Sequence, residues 1–190
     1  MGTKGDGNRQ RIVEAADGLF YRHGYNQTSF QDISDATGIP RGNFYYYFKT
    51  KDEILEAVVN SRVEGLSEML SRCEAEANDG RERLLLFSNM LEYNRDNVIE
   101  SGCPIGTLCS ELAKDDAALH TKSRQAFVLL RDWIKRQFQS AGLGNADDLA
   151  MDLLAKIQGV TVLASAFKDI DYVKRSHLEI KNWINEKTLN

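Results

Sequence analysis

Apolar side chains recur at spacings of three and four along nearly the whole chain, the period of helices with one buried face. From Arg9 the set Ile12, Ala15, Ala16, Leu19 and Phe20 predicts a helix over 9–23, closed by His23-Gly24. Short helices follow over 28–37 and 40–46. A long one runs over 51–76 through Ile54, Leu55, Val58, Val59, Val63, Leu66, Met69, Leu70 and Cys73. Asn78-Asp79-Gly80 breaks the pattern, which resumes over 81–101 with Leu84, Leu85, Phe87, Met90, Leu91 and Val98. Gly102-Cys103-Pro104-Ile105-Gly106 is the clearest punctuation in the second half. A short helix is expected over 104–114, a longer one after Asp115-Asp116 through Leu119 to Phe138, and two more over 147–168 and 171–187. Nothing alternates with the period of a strand, so the predicted fold class is all-α.

The two short helices carry the sharpest local signals. Thr28-x-x-Gln31 has the form of a capping box, which predicts a helix start at Thr28. Gly38 suits the left-handed residue that ends the helix, and Pro40 suits a first helical turn. Two short helices joined by a tight turn containing glycine form a helix-turn-helix, whose second helix enters the major groove of DNA. Arg41 and Asn43 are side chains that read base edges, with Tyr46 a third reader, phosphate contact being the alternative for each. Ser29, Tyr45, Tyr47 and Lys51 are expected to hold the backbone, and Thr50-x-x-Glu53 starts the next helix beside Lys51.

The run TSFQDISDATGIPRGNFYYYFKTKDEIL resembles the DNA-binding signature of the tetracycline-repressor (TetR) family of bacterial transcriptional regulators, over about residues 8 to 60. At Tyr47 many relatives carry His. The resemblance adds Thr28 and Gly42 to the DNA-facing set and implies a DNA-binding domain over 1–51; within it the glycine-rich polar run 1–8 reads as a mobile tail, an arm reaching DNA through Lys4 being the alternative. It implies an effector-binding and dimerisation domain over 52–190, the helix after Lys51 serving as a lever between them. The implied activity is repression from a palindromic operator in double-stranded DNA, relieved by a small-molecule effector. The implied assembly is a homodimer built through the last two helices. By position, Phe87, Met90, Leu91, Asn94, Leu108, Cys109, Phe127, Leu130 and Trp133 would line the effector pocket, plain core being the alternative. An activator on the same fold would share every one of these residues.

Composition moves this picture little. The net charge of −4 and pI of about 5.5 do not by themselves suggest a nucleic-acid binder. The balance is uneven, with seven Lys/Arg against five Asp/Glu in residues 1–51, so the acidic excess lies in the remainder. Three cysteines, Cys73, Cys103 and Cys109, lack the count and density of a secreted disulfide scaffold. No signal core or membrane-length apolar run is evident, and a reduced cytoplasm is the expected home. Metal-ligand spacing, nucleophile motifs and phosphate-binding glycine loops are missing, so neither catalysis, a metal nor a cofactor is expected. Cys103, in Ser-Gly-Cys-Pro ahead of a helix start, has two readings. It is a small residue turning a helix corner or, with Cys109, a thiol that senses electrophiles or oxidants.

Overall fold

The computed structural model describes residues 3–114 and 117–189, and the side chains of these apart from 3–6, Arg41 and Ala117. The described residues form helices α1 (Thr3–His23), α2 (Phe30–Thr37), α3 (Arg41–Phe44), α4 (Lys51–Glu76), α5 (Gly80–Ser88), α6 (Met90–Tyr93), α7 (Arg95–Ser101), α8 (Pro104–Leu112), α9 (Ala117–Ser123), α10 (Gln125–Ser140), α11 (Ala146–Phe167) and α12 (Ile170–Thr188), with no strand among them. Asp115 and Asp116, expected to precede a helix, lie outside the described residues.

The chain divides into two compact units, each discontinuous in sequence: Met1–Glu64 with Thr107–Gln125, and Gly65–Gly106 with Ala126–Asn190. The boundary expected at 51/52 therefore falls inside the first unit. The reason is burial. Ile54, Leu55, Val58 and Val59 of α4 join Ile12, Val13, Ala16, Phe20, Ile33, Phe44 and Phe48 in one cluster, and Leu108, Leu112 and Leu119 complete it from α8 and α9. Edge-to-face pairs Phe20–Tyr25 (5.2 Å) and Phe30–Phe44 (6.1 Å) belong to the same packing.

The glycine-rich run expected as a mobile tail is helical from Thr3. Its junction with the rest of α1 is tied down. Asn8 donates to the Tyr47 hydroxyl (3.2 Å), the Arg9 guanidinium sits 4.8 Å from the centre of the Phe48 ring, and Arg11 donates to the Thr37 carbonyl at 2.7 Å. Tertiary contact thus extends the helix past a run of poor helix formers.

In the second unit the helix expected over 81–101 is three pieces, α5 to α7, and the one expected to run through Leu119 to Phe138 is two, α9 and α10. At Asn89 the backbone tightens to a three-residue turn, its N–H reaching the Leu86 carbonyl, and beside the breaks at Asn89 and Arg124 the Ser88 and Ser123 hydroxyls donate back to the carbonyls of Leu85 and His120. Leu84, Phe87, Leu91, Leu130, Trp133, Ile134, Phe138, Leu153 and Ile184 are buried here. Gly80 opens α5 against the end of α10 so closely that a Cβ on it would lie 2.2 Å from the Gln137 carbonyl oxygen.

α12 lies against α5, α6, α7 and α11. Contrary to the expectation that no apolar run is of membrane length, α11 has the length and composition of a span. Its Leu149, Leu153, Leu154, Ile157 and Val160 are buried, as in a core helix. Met151, Val162 (62% exposed), Leu163 and Phe167 (76% exposed) face outward.

Candidate nucleic-acid interface

The N-cap of α2 falls one residue later than the sequence predicts. Ser29, not Thr28, is the N-cap: its Oγ accepts from the Asp32 N–H (3.2 Å), and the Asp32 carboxylate accepts from the Ser29 N–H and hydroxyl, both at 2.7 Å. Those two donations, the backbone one first, hold the Asp32 carboxyl below its ordinary range. Thr28 is buried and donates its hydroxyl to the Gly24 carbonyl (2.7 Å), while Gln31 turns to Asp35. Thr28 is thus held by the preceding loop and unable to cap.

Gly38 ends α2 at φ 66°, its N–H on the Ser34 carbonyl. The turn that follows is bonded from inside: the Ser34 hydroxyl donates to the Ile39 carbonyl (2.7 Å), and the Ile39 N–H donates to Thr37 Oγ1 (3.2 Å). α3 then has four regular residues rather than the seven expected, because the Tyr46 and Tyr47 N–H groups bond three residues back, to Asn43 and Phe44.

Phe44 and Phe48 anchor this stretch in the core, which turns Gly42, Asn43, Tyr45 and Tyr46 outward, Tyr46 being 80% exposed. Tyr45 is stacked on Phe30 (6.2 Å), so its ring has a fixed seat. Tyr47 is half-buried, its hydroxyl engaged with Asn8. The Arg41 side chain lies outside the described residues.

α4 starts as read, with Thr50 Oγ1 accepting from the Glu53 N–H (3.1 Å). The Glu53 carboxylate, however, reaches Lys49 N–H (2.5 Å) rather than that of Thr50. The Lys51 ammonium donates to the carbonyls of Tyr25 (2.9 Å) and Thr28 (3.0 Å) and lies 4.2 Å from the Tyr25 ring centre. Burial pushes its pKa below the ordinary amine value, against the opposing pull of Asp52 and Glu111. Lys51 and residues Asn26 to Gln31 line a depression of about 400 Å³ at the α2 N-terminus. A helix N-terminus beside an ammonium is a setting for phosphate, and the outward set on α3 is one for base edges.

A family model described as "Bacterial regulatory proteins, tetR family" matches residues 12–58, and one described as "Transcriptional regulator LmrA/YxaF-like, C-terminal domain" matches 85–177. An uncharacterised HTH-type transcriptional regulator of Lactococcus lactis is 31% identical over 175 residues, 87% of each chain. The chain belongs to the TetR family. It is a DNA-binding transcriptional regulator. The HTH-type transcriptional repressor DhaR of a Mycobacterium species is 28% identical over 153 residues, 77% of this chain and 74% of that one. In fold, a TetR-family regulator from Cytophaga hutchinsonii superposes with a TM-score of 0.86 at 20% identity, over 100% and 99% of the two chains.

The residues expected to line an effector pocket of this TetR-family regulator are divided between the units. Leu108 and Cys109 count with the first, where Leu108 is part of the cluster under the helix-turn-helix. Phe87, Met90, Leu91, Asn94, Phe127, Leu130 and Trp133 count with the second. Phe87, Leu91, Leu130 and Trp133 are buried, Phe87 against Trp133 at 5.6 Å, and Met90 and Phe127 are half-buried. Asn94 is exposed and bonds back to Met90. The Trp133 indole N–H donates to Glu74 at 2.8 Å, a polar feature the apolar pattern did not announce.

Cys73, Cys103 and Cys109 are free thiols. Burial, then the nearby Glu76, pushes the Cys73 thiol up. Cys103 Sγ, half-buried, accepts from the Gly106 N–H (3.4 Å) and the Gln158 amide (3.5 Å), and Cys109 falls in the other unit. No cluster of metal-ligating side chains occurs among the described residues.

Proposed function

We propose that this regulator is a cytoplasmic repressor that acts as a homodimer on a palindromic operator and is released by a small-molecule effector. The observation that carries the operator reading is the outward set Asn43, Tyr45 and Tyr46 on a turn anchored by Phe44 and Phe48, beside Lys51 and the capped start of α2. Asn43, Tyr46 and Arg41 read bases; Ser29, Tyr45, Tyr47 and Lys51 hold the backbone, with Thr28 and Gly42 shaping the surface between them. The dimer reading is supported by the exposed Met151, Val162, Leu163 and Phe167 of α11 and Leu178 of α12, since apolar side chains grouped on neighbouring helices suit a two-fold interface. Two-fold related heads read two half-sites, hence the palindrome.

The test is electrophoretic mobility of the DNA upstream of its own gene, with nonspecific competitor, paired with a reporter from that DNA with the regulator deleted. A specific complex together with increased expression is expected. Decreased expression would mean an activator. Failure to select any preferred site from random DNA would overturn the reading. Val162→Glu is expected to convert the dimer to monomer in sedimentation and to abolish the complex.

A further inference from the structure

The loop from Gly24 to Thr28, which joins α1 to α2, is gripped from two sides. Gly24 leaves α1 at φ 87°, and the next two N–H groups both face one side chain of α8. Tyr25 N–H donates to one carboxylate oxygen of Glu111 (3.0 Å) and Asn26 N–H to the other (2.8 Å). The approach is close: a Cβ on Gly24 would lie 3.1 Å from that carboxylate. From the α4 side Lys51 takes the carbonyls of Tyr25 and Thr28, and the Tyr25 hydroxyl donates to Asp52. The loop runs straight into Ser29, the N-cap of α2, and its residues Asn26 to Thr28 line the depression that holds Lys51.

A carboxylate this near a surface meant for phosphate is disfavoured by its charge, so its presence calls for an offsetting role. Resting on the interface reading above, we propose that Glu111 is a positioning residue for DNA binding. It does not touch DNA. Its two-point hold on Tyr25 and Asn26 fixes where Ser29, the first turn of α2 and Lys51 meet the backbone. The second half of α8 thereby sets the operator affinity of the head, through one side chain remote in sequence from every DNA-facing residue.

Charge and position predict opposite signs, which makes the proposal testable with Glu111→Gln in the full-length protein. If the carboxylate acts only through its field, neutralising it tightens binding. If it positions, Gln satisfies one amide, turns its NH2 toward the other, and weakens binding about tenfold, the worth of one charge-assisted hydrogen bond. Glu111→Asp keeps the charge but is too short for both amides. It is expected to weaken binding as well, whereas a field effect predicts no change. Affinities are measured well below the melting temperature, with helical circular dichroism verified, and amide exchange at Tyr25 and Asn26 is expected to quicken in both variants.

Affinity equal to wild type in both variants, even with a lowered melting temperature, overturns the proposal and leaves the interface reading standing. Failure of the wild type to retain selected DNA overturns the interface reading and Glu111's role with it. Should neither variant fold, exchange in the unaltered protein decides: slow amides at Tyr25 and Asn26 that slow further on DNA support the hold, and exchange at the free-peptide rate removes it.

Discussion

Lys51→Met separates the two tasks that the Lys51 ammonium is placed to perform. Methionine keeps the apolar stem and removes two charged hydrogen bonds, to the Tyr25 and Thr28 carbonyls, together with the stack over the Tyr25 ring. With the ammonium itself only half-buried, each bond contributes about 1 kcal/mol and the ring contact about 0.5 kcal/mol. Burial disfavours the charge here, as the downward push on its pKa records. The net loss is therefore about 1–2 kcal/mol, a fall in melting temperature of about 3–6 °C for a chain of this size. On the proposed interface the variant lacks one phosphate partner, so the slope of log affinity against log salt is expected to shrink by about 1, with weakening uniform across sequences. Thermal melts at fixed protomer concentration and DNA titrations at several KCl concentrations measure the two effects separately. A shallower slope with an unchanged melting temperature would refute the seating of Lys51 on the loop carbonyls. A lowered melting temperature with an unchanged slope would make it a structural staple alone.

Gly80→Ala should destabilise by about 2–3 kcal/mol in urea unfolding, since its Cβ would meet the Gln137 carbonyl oxygen and backbone must shift. Gly144→Ala, with nothing within 4 Å, is the matched control and should be close to neutral. Burial first, then Lys181, pushes the His177 imidazole below its ordinary value of 6.5, with Glu92 opposing and the Ser88 hydroxyl 3.4 Å from Nε2. The fold thus favours the neutral ring, and the stability this provides is complete above pH 6.5 and is lost as pH falls below it. His177→Asn should flatten the decline in melting temperature from pH 7 to pH 5; parallel declines in the two proteins would remove His177 as its source. Tyr47→Phe deletes the acceptor for Asn8 and should cost under about 1 kcal/mol of stability, read in the same melts.

The helix-turn-helix was legible because its signals are local. Gly38 must take a left-handed backbone, Pro40 can open a helix, and the aromatic spacing of Phe44 and Phe48 points them inward. The frame of the first cap was not legible. Thr28-x-x-Gln31 and Ser29-x-x-Asp32 are both plausible boxes, and only the hold of Gly24 and Lys51 on Thr28 decides between them. The breaks at Asn89, Asn94 and Arg124 carry no glycine or proline, so an unbroken apolar period reads straight through them. Leu108 and Glu111 show the harder limit. Each sits in an ordinary amphipathic turn, and nothing within 80 residues of Glu111 in the sequence marks Tyr25 and Asn26 as its partners. Charge alone left the DNA face weakly marked, since a net of −4 conceals a basic start.

The interleaving of the first unit constrains how such a regulator can be recombined. A graft that exchanges residues 1–51 between relatives leaves behind Ile54, Leu55, Val58 and Val59 of α4, the leucines of α8 and α9, and Glu111. The transplanted head would then rest on a floor shaped for another chain. Exchanging only the outward positions of 41–47 respects that floor, as would moving 1–64 together with 107–125. On the proposed interface, substitutions at the outward positions of α3 leave this floor untouched, whereas a change in one of the two distant segments beneath it calls for a matching change in the other.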